Sequence, residues 1–113
     1  MVLWYHVKGL KRQREENTVA DIFNSDGSKL LIKALLSLKN EEECRAFLED
    51  ALTTKEILDL GQRLVVAKLL SEQTVYNKIA EETGASTATI SRVNRSYLYG
   101  KGGYQTVLGR IVK

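Results

Sequence analysis

Apolar residues recur every three or four positions along nearly the whole of this 113-residue chain, and no proline interrupts them. That spacing lines one face of an α-helix, and nowhere does the strict alternation of a half-buried strand replace it. The expected fold class is therefore all-α. A first helix is predicted over 28–38, with Leu30, Leu31, Ala34, Leu35 and Leu38 as its stripe and Asn24-Ser25-Asp26-Gly27 as the turn and capping cluster that opens it. Asn40 followed by Glu43, and Thr53 followed by Glu56, have the spacing of capping boxes. The first opens a helix whose buried face is expected to hold Cys44, Phe47, Leu48 and Ala51. The second opens a helix over 54–70 in which Ile57, Leu58, Leu60, Leu64, Val65, Ala67, Leu69 and Leu70 run around most of the circumference. Such a helix has to be covered on several sides, and a chain this small has little surface to do it with. A central helix shared with a second copy of the chain is the expected solution.

The composition removes several function classes. One cysteine, Cys44, and one histidine, His6, allow neither an internal disulfide nor a zinc site of the usual spacing within one protomer, so no metal and no cofactor are expected, and a reducing, cytoplasmic setting fits. Residues 1–26 read as an N-terminal tail. Its apolar start, Met1 to Val7, gives way to the charged stretch Lys8 to Glu16 without the length of a membrane span or the cleavage site of a signal peptide. Thr87, Thr89 and Ser91 would make a cluster of nucleophiles, but the general base such chemistry needs is absent, since His6 lies in the tail; the chain is not expected to be an enzyme. Charge is unevenly spread: residues 41–82 carry ten acids and five bases, whereas residues 83–113 carry five bases and no acid. A basic end on an acidic body is the electrostatic footprint of a nucleic-acid reader.

The segment from Tyr76 to Arg95 satisfies each constrained position of a helix-turn-helix, which is expected over about 75–97. Ile79 and small Ala80 lie where the second helix crosses the first, Gly84 stands in the turn where positive φ is cheapest, and Ile90 and Val93 form the inward face of the second helix. Ser86 is the expected N-cap. With Ile90 and Val93 inward, Thr87, Ala88, Ser91, Arg92 and Arg95 turn outward on a face that is small, polar and basic. That face suits the major groove of duplex DNA: methyls meet thymine methyls, hydroxyls donate or accept, and an arginine forks to guanine. Ser86, the helix N-terminus and Arg95 are candidates for phosphate, and Asn77 on the first helix completes the expected DNA-binding set. The recognition helix is expected over 87–96. Beyond it, residues 100–113 read as a flexible basic extension that begins at Gly100-Lys101-Gly102-Gly103 and holds Val107, Leu108, Ile111 and Val112, enough for a short terminal helix.

The run Gly84-Ala85-Ser86-Thr87-Ala88-Thr89-Ile90-Ser91-Arg92, preceded by Leu60-Gly61-Gln62-Arg63 and Leu69-Leu70, resembles the tryptophan repressor (TrpR) family, and most closely its YerC/YecD branch. The resemblance covers about residues 30–103 and is most specific over 81–93. It implies bacterial transcriptional regulators, usually repressors, that form intertwined homodimers with a C-terminal helix-turn-helix, and it assigns residues 27–99 to the DNA-binding domain. In tryptophan-binding members the indole lies between two arginines that Arg63 and Arg92 resemble, with hydroxyl residues where Thr53 and Ser96 stand. Two departures argue against tryptophan here. Val93 occupies the position of a glycine beside the ligand, and the span from Gly61 to Gly84 is one residue shorter than in those members. A valine there fills the space an indole needs. The competing functions are an effector-dependent repressor with a small-molecule pocket near Arg63 and Arg92, and a helical adaptor that binds another protein through the apolar third helix.

Overall fold

The computed structural model describes residues 21–112, which form α-helices and turns without a strand. In chain order the helices are α1 (Asp26–Ser37), α2 (Glu41–Ala51), α3 (Thr54–Ser71), α4 (Tyr76–Thr83), α5 (Thr87–Tyr99) and α6 (Gly103–Ile111). Two compact units divide the chain after Arg45, inside α2.

In the first unit, α1 starts two residues before the expected Ser28, because the cap is Ser25: its Oγ accepts the Ser28 N–H at 3.1 Å, which places Asp26, Gly27 and Ser28 in the first turn. The expected stripe is present but uncovered. Leu30, Leu31 and Leu35 are exposed, as are Ile32 and Leu36, and α1 contains no buried residue. At the start of α2 the Asn40 side chain accepts the Glu43 N–H at 2.9 Å, but the return arm goes elsewhere: Glu43 Oε1 accepts from the Lys39 N–H at 3.0 Å, not from Asn40. The two side chains thus satisfy one orphan donor of the helix, at Glu43, and one N–H just before it, at Lys39.

The second unit begins within α2. Of the face predicted to be buried, Phe47 and Leu48 are half-buried, like Cys44 just before the division, and Ala51 is exposed at the last position of the helix. The capping box at α3 forms in full: Thr53 Oγ1 accepts from the Glu56 N–H (3.1 Å) and Glu56 Oε1 from the Thr53 N–H (2.9 Å). Only the C-terminal half of α3 reaches the core, through Val66 and Ala67, while Leu58, Leu60 and Val65 remain exposed. A helix apolar around most of its circumference thus keeps uncovered sides in one copy of the chain.

The core itself is small: Val66 and Ala67 of α3, Ile79 of α4, Ala85 of the turn, Ile90 and Val93 of α5, and Leu108 of α6. Leu69, Leu70, Tyr76, Ala80 and Tyr104 pack around it half-buried. Each fully buried Ile or Val here stabilises the fold by about 1.5–3 kcal/mol through burial alone, so the two isoleucines and Val66 anchor α3, α4 and α5 to one another.

Residues read from sequence as a flexible extension are helical from Gly103 to Ile111, and Leu108 of this helix belongs to the core. The glycine joint serves a bend. At Gly100 a Cβ would collide with the Ser96 carbonyl oxygen, while the Gly100 N–H caps that same oxygen at 2.9 Å. Only a residue without a side chain can end α5 in this way.

Candidate nucleic-acid interface

The helices α4 and α5 are joined by Gly84, Ala85 and Ser86. Gly84 lies in the left-handed region (φ 72°), and its N–H caps α4 by donating to the Ala80 carbonyl. Ala85 is buried in the core, so the turn is pinned by a methyl group as well as by its backbone. Ser86 caps α5: its Oγ accepts the Thr89 N–H at 3.1 Å and lies 3.1 Å from the Thr89 hydroxyl. Its hydroxyl is therefore engaged within the turn. With the Thr89 N–H capped, the backbone N–H groups of Thr87 and Ala88 are among the four at this helix start that the helix cannot satisfy internally.

From this start the 3.6-residue period sorts α5 as expected. Ile90 and Val93 are buried, at 0% and 2% exposure, and Thr87, Ala88, Ser91, Arg92 and Arg95 are all exposed. Asn77 is exposed on α4. The α5 sequence contains no acid, and neither Arg92 nor Arg95 forms an ion pair among the described residues. The ion pairs present there, Arg45–Glu41, Lys55–Asp59 and Lys68–Glu72, all lie on α2 and α3, four residues apart on exposed surfaces. Arg45, Lys55 and Lys68 are thus paired within their own helices, whereas Arg92 and Arg95 of α5 form no such pair among the described residues.

Lys78 belongs with this group and was missed from the sequence. It is exposed on α4 beside Asn77 and makes no ion pair among the described residues. Counting charge by blocks hid it, because residues 41–82 are acidic as a whole although Lys78 sits at the helix start.

The four positions that resemble an effector pocket are not brought together by any bond among the described residues. Thr53 is committed to the α3 cap, and Arg63, Arg92 and Ser96 are exposed. Val93 is buried in the core. Neither a helix long and apolar enough to cross a membrane nor a cluster of metal-ligating side chains occurs among the described residues.

The family model described as Trp repressor protein matches residues 27–112, about three-quarters of the sequence and the whole of α2 to α6. The chain belongs to the Trp repressor family. Family members of this kind are DNA-binding transcription regulators, and the sequence resemblance read from residues 84–92 is confirmed. Among similar proteins, the Bacillus subtilis (strain 168) protein YerC is 52% identical over 81 residues, which are 72% of this chain and 78% of YerC. The crystal structure of a TrpR-like protein from Eubacterium eligens matches with a TM-score of 0.75 and 52% identity, covering 79% of this chain and 92% of that one. A candidate Trp repressor from Staphylococcus aureus matches with a TM-score of 0.73 and 45% identity, covering 77% and 87%. The all-α, TrpR-like fold is shared with both. The family match extends beyond the expected domain end at residue 99 and takes in α6, in keeping with the place of Leu108 in the core.

Proposed function

We propose that this Trp repressor family member is a sequence-specific duplex-DNA-binding repressor that acts as a homodimer, with α5 entering the major groove. The observation that carries the proposal is the outward face of α5: five small, polar or basic side chains without an acid, backed by two buried residues that fix which way they point. Thr87, Ala88, Ser91 and Arg92 face base edges, Arg92 by forking to guanine. Arg95, Asn77, Lys78 and the N–H groups at the start of α5 hold phosphates and set the register. The uncovered leucines of α1 and the exposed sides of α3 are the surface on which a second copy interlocks, bringing two recognition helices to a roughly palindromic site. Such a reader works in the cytoplasm of a bacterium.

The protein binds its site without tryptophan. In this reading Val93, packed among Ile79, Ile90 and Val66, occupies with its own side chain the space a bound indole would use.

Selection of bound duplexes from a random pool tests the proposal. At near-physiological salt and without any added ligand, the wild-type protein enriches a two-fold symmetric site, and a Thr87→Ala, Arg92→Ala double variant does not. Enrichment only in the presence of a small molecule would favour the effector-dependent reading, and an absence of any DNA binding would favour the protein adaptor.

A further inference from the structure

The core explains why α4 and α5 stay attached to α3, but apolar packing has little directional preference and does not by itself fix the angle at which α5 is held out. A directional contact does exist. The Gln62 side-chain amide on α3 donates from Nε2 to the Thr83 carbonyl oxygen at 3.0 Å, across 21 residues of sequence. Thr83 is the last residue of α4, and its carbonyl is one of those a helix cannot satisfy for itself. The Thr83 side chain works on the same turn: its hydroxyl donates to the Ile79 carbonyl at 2.7 Å and accepts the Ala85 N–H at 3.1 Å. Gly84 and Ala85, the residues that set where α5 begins, are thus held between an amide from α3 and a hydroxyl from α4. We infer that Gln62 is a positioning residue for DNA reading, a latch that sets the orientation of α5 by holding the end of α4.

This inference rests on the DNA-binding reading above and deepens it. Positioning matters unequally for the two components of DNA affinity. Attraction to phosphates is long-ranged and sequence-independent, so a small rotation of α5 changes it little. Base readout requires side chains placed within about half an ångström and 10–20° of the productive geometry, so the same rotation removes it. Gln62 itself is half-buried on α3 with its amide engaged by the Thr83 carbonyl, so in this inference it acts through the turn. A second glutamine provides the comparison. Gln105 of α6 donates from Nε2 to the Tyr97 carbonyl at 2.8 Å, again satisfying a carbonyl in the last turn of a helix, but it is exposed and acts at the end of α5 remote from Thr87 and Ala88.

The test compares wild type, Q62M and Q105M on the selected site and on unrelated duplex at equal salt, with thermal melting as a check on folding. Methionine keeps the length of glutamine and removes its donor. Q62M is expected to bind the selected site on the order of five- to tenfold more weakly, the range of one intramolecular hydrogen bond, with affinity for unrelated duplex changed less than about twofold; Q105M keeps the wild-type ratio. A ratio unchanged in Q62M, or both affinities falling together with stability, overturns the latch while leaving the DNA reading intact. A wild-type protein that selects no site ends both. Should Q62M not fold, exchange in the wild-type protein decides: the Gln62 side-chain amide protons exchange more slowly than those of exposed Gln73, and equal rates overturn the latch.

Discussion

Helices α1 and α5 are similar in length and opposite in what they leave outside. In α1 the exposed apolar residues are Leu30, Leu31, Ile32, Leu35 and Leu36, the last at 81% exposure, and nothing in the helix is buried. In α5 the apolar pair Ile90 and Val93 is buried, and the exposed face of Thr87, Ala88, Ser91, Arg92 and Arg95 is hydroxyl, methyl and guanidinium, with exposed Leu98 and Tyr99 confined to the last turn. A leucine row left open to water is costly in an isolated chain and is relieved by another apolar surface. A polar, acid-free face needs no such relief and suits a hydrated, negatively charged surface. In the proposed function the two helices accordingly serve two different partners, a second copy for α1 and duplex DNA for α5.

That contrast can be broken in several places. The largest effect is expected in the shared scaffold: Ile90→Ala removes a side chain with no exposure and lowers stability by about 2–5 kcal/mol, measured by denaturant unfolding. Leu36→Ala separates the alternatives for α1. If the helix stayed open to water the change would stay within about 0.5 kcal/mol, as for surface substitutions generally. With Leu36 covered by a second copy, the loss is about 2 kcal/mol and grows as the protein is diluted, seen as a concentration-dependent melting temperature. On α5, Arg92→Ala leaves stability and self-association unchanged and weakens binding to the selected site by about 1–3 kcal/mol, with preference relaxed at one base position, read by competition binding. Arg95→Ala is the mildest: all sequences weaken alike, and the slope of log affinity against log salt flattens by about one. A base-specific loss at Arg95, or a uniform one at Arg92, would exchange the roles of the two arginines.

Much of this arrangement is legible in the sequence because it is local. Thr53 and Glu56 announce the start of α3 and Gly84 and Ser86 set the turn, each through contacts within a few residues, while the spacing of Ile90 and Val93 marks the inward face of α5. What sequence does not display is non-local or conformationally ambiguous. Periodicity shows that α1 has an apolar face but not whether one chain can cover it, so the predicted stripe of Leu30, Leu31 and Leu35 is present and yet exposed. Glycine signals freedom and fixed special geometry alike; the stretch read as a flexible joint contains Gly100, whose missing Cβ makes room for the Ser96 carbonyl, and leads into a helix that contributes Leu108 to the core. Gln62 is an unremarkable polar residue until the fold brings it to Thr83, 21 positions away.

In the proposed function two copies of α5 read one duplex, with Arg92 of each on a base. Methylation interference on the selected site, run in parallel with wild type and Arg92→Ala, tests it most directly. Wild type is expected to be blocked by methylation at guanines placed symmetrically in two half-sites about one helical turn apart, and Arg92→Ala to lose the effect at one guanine in each half. Identical patterns for the two proteins, or a loss confined to one half, would contradict it.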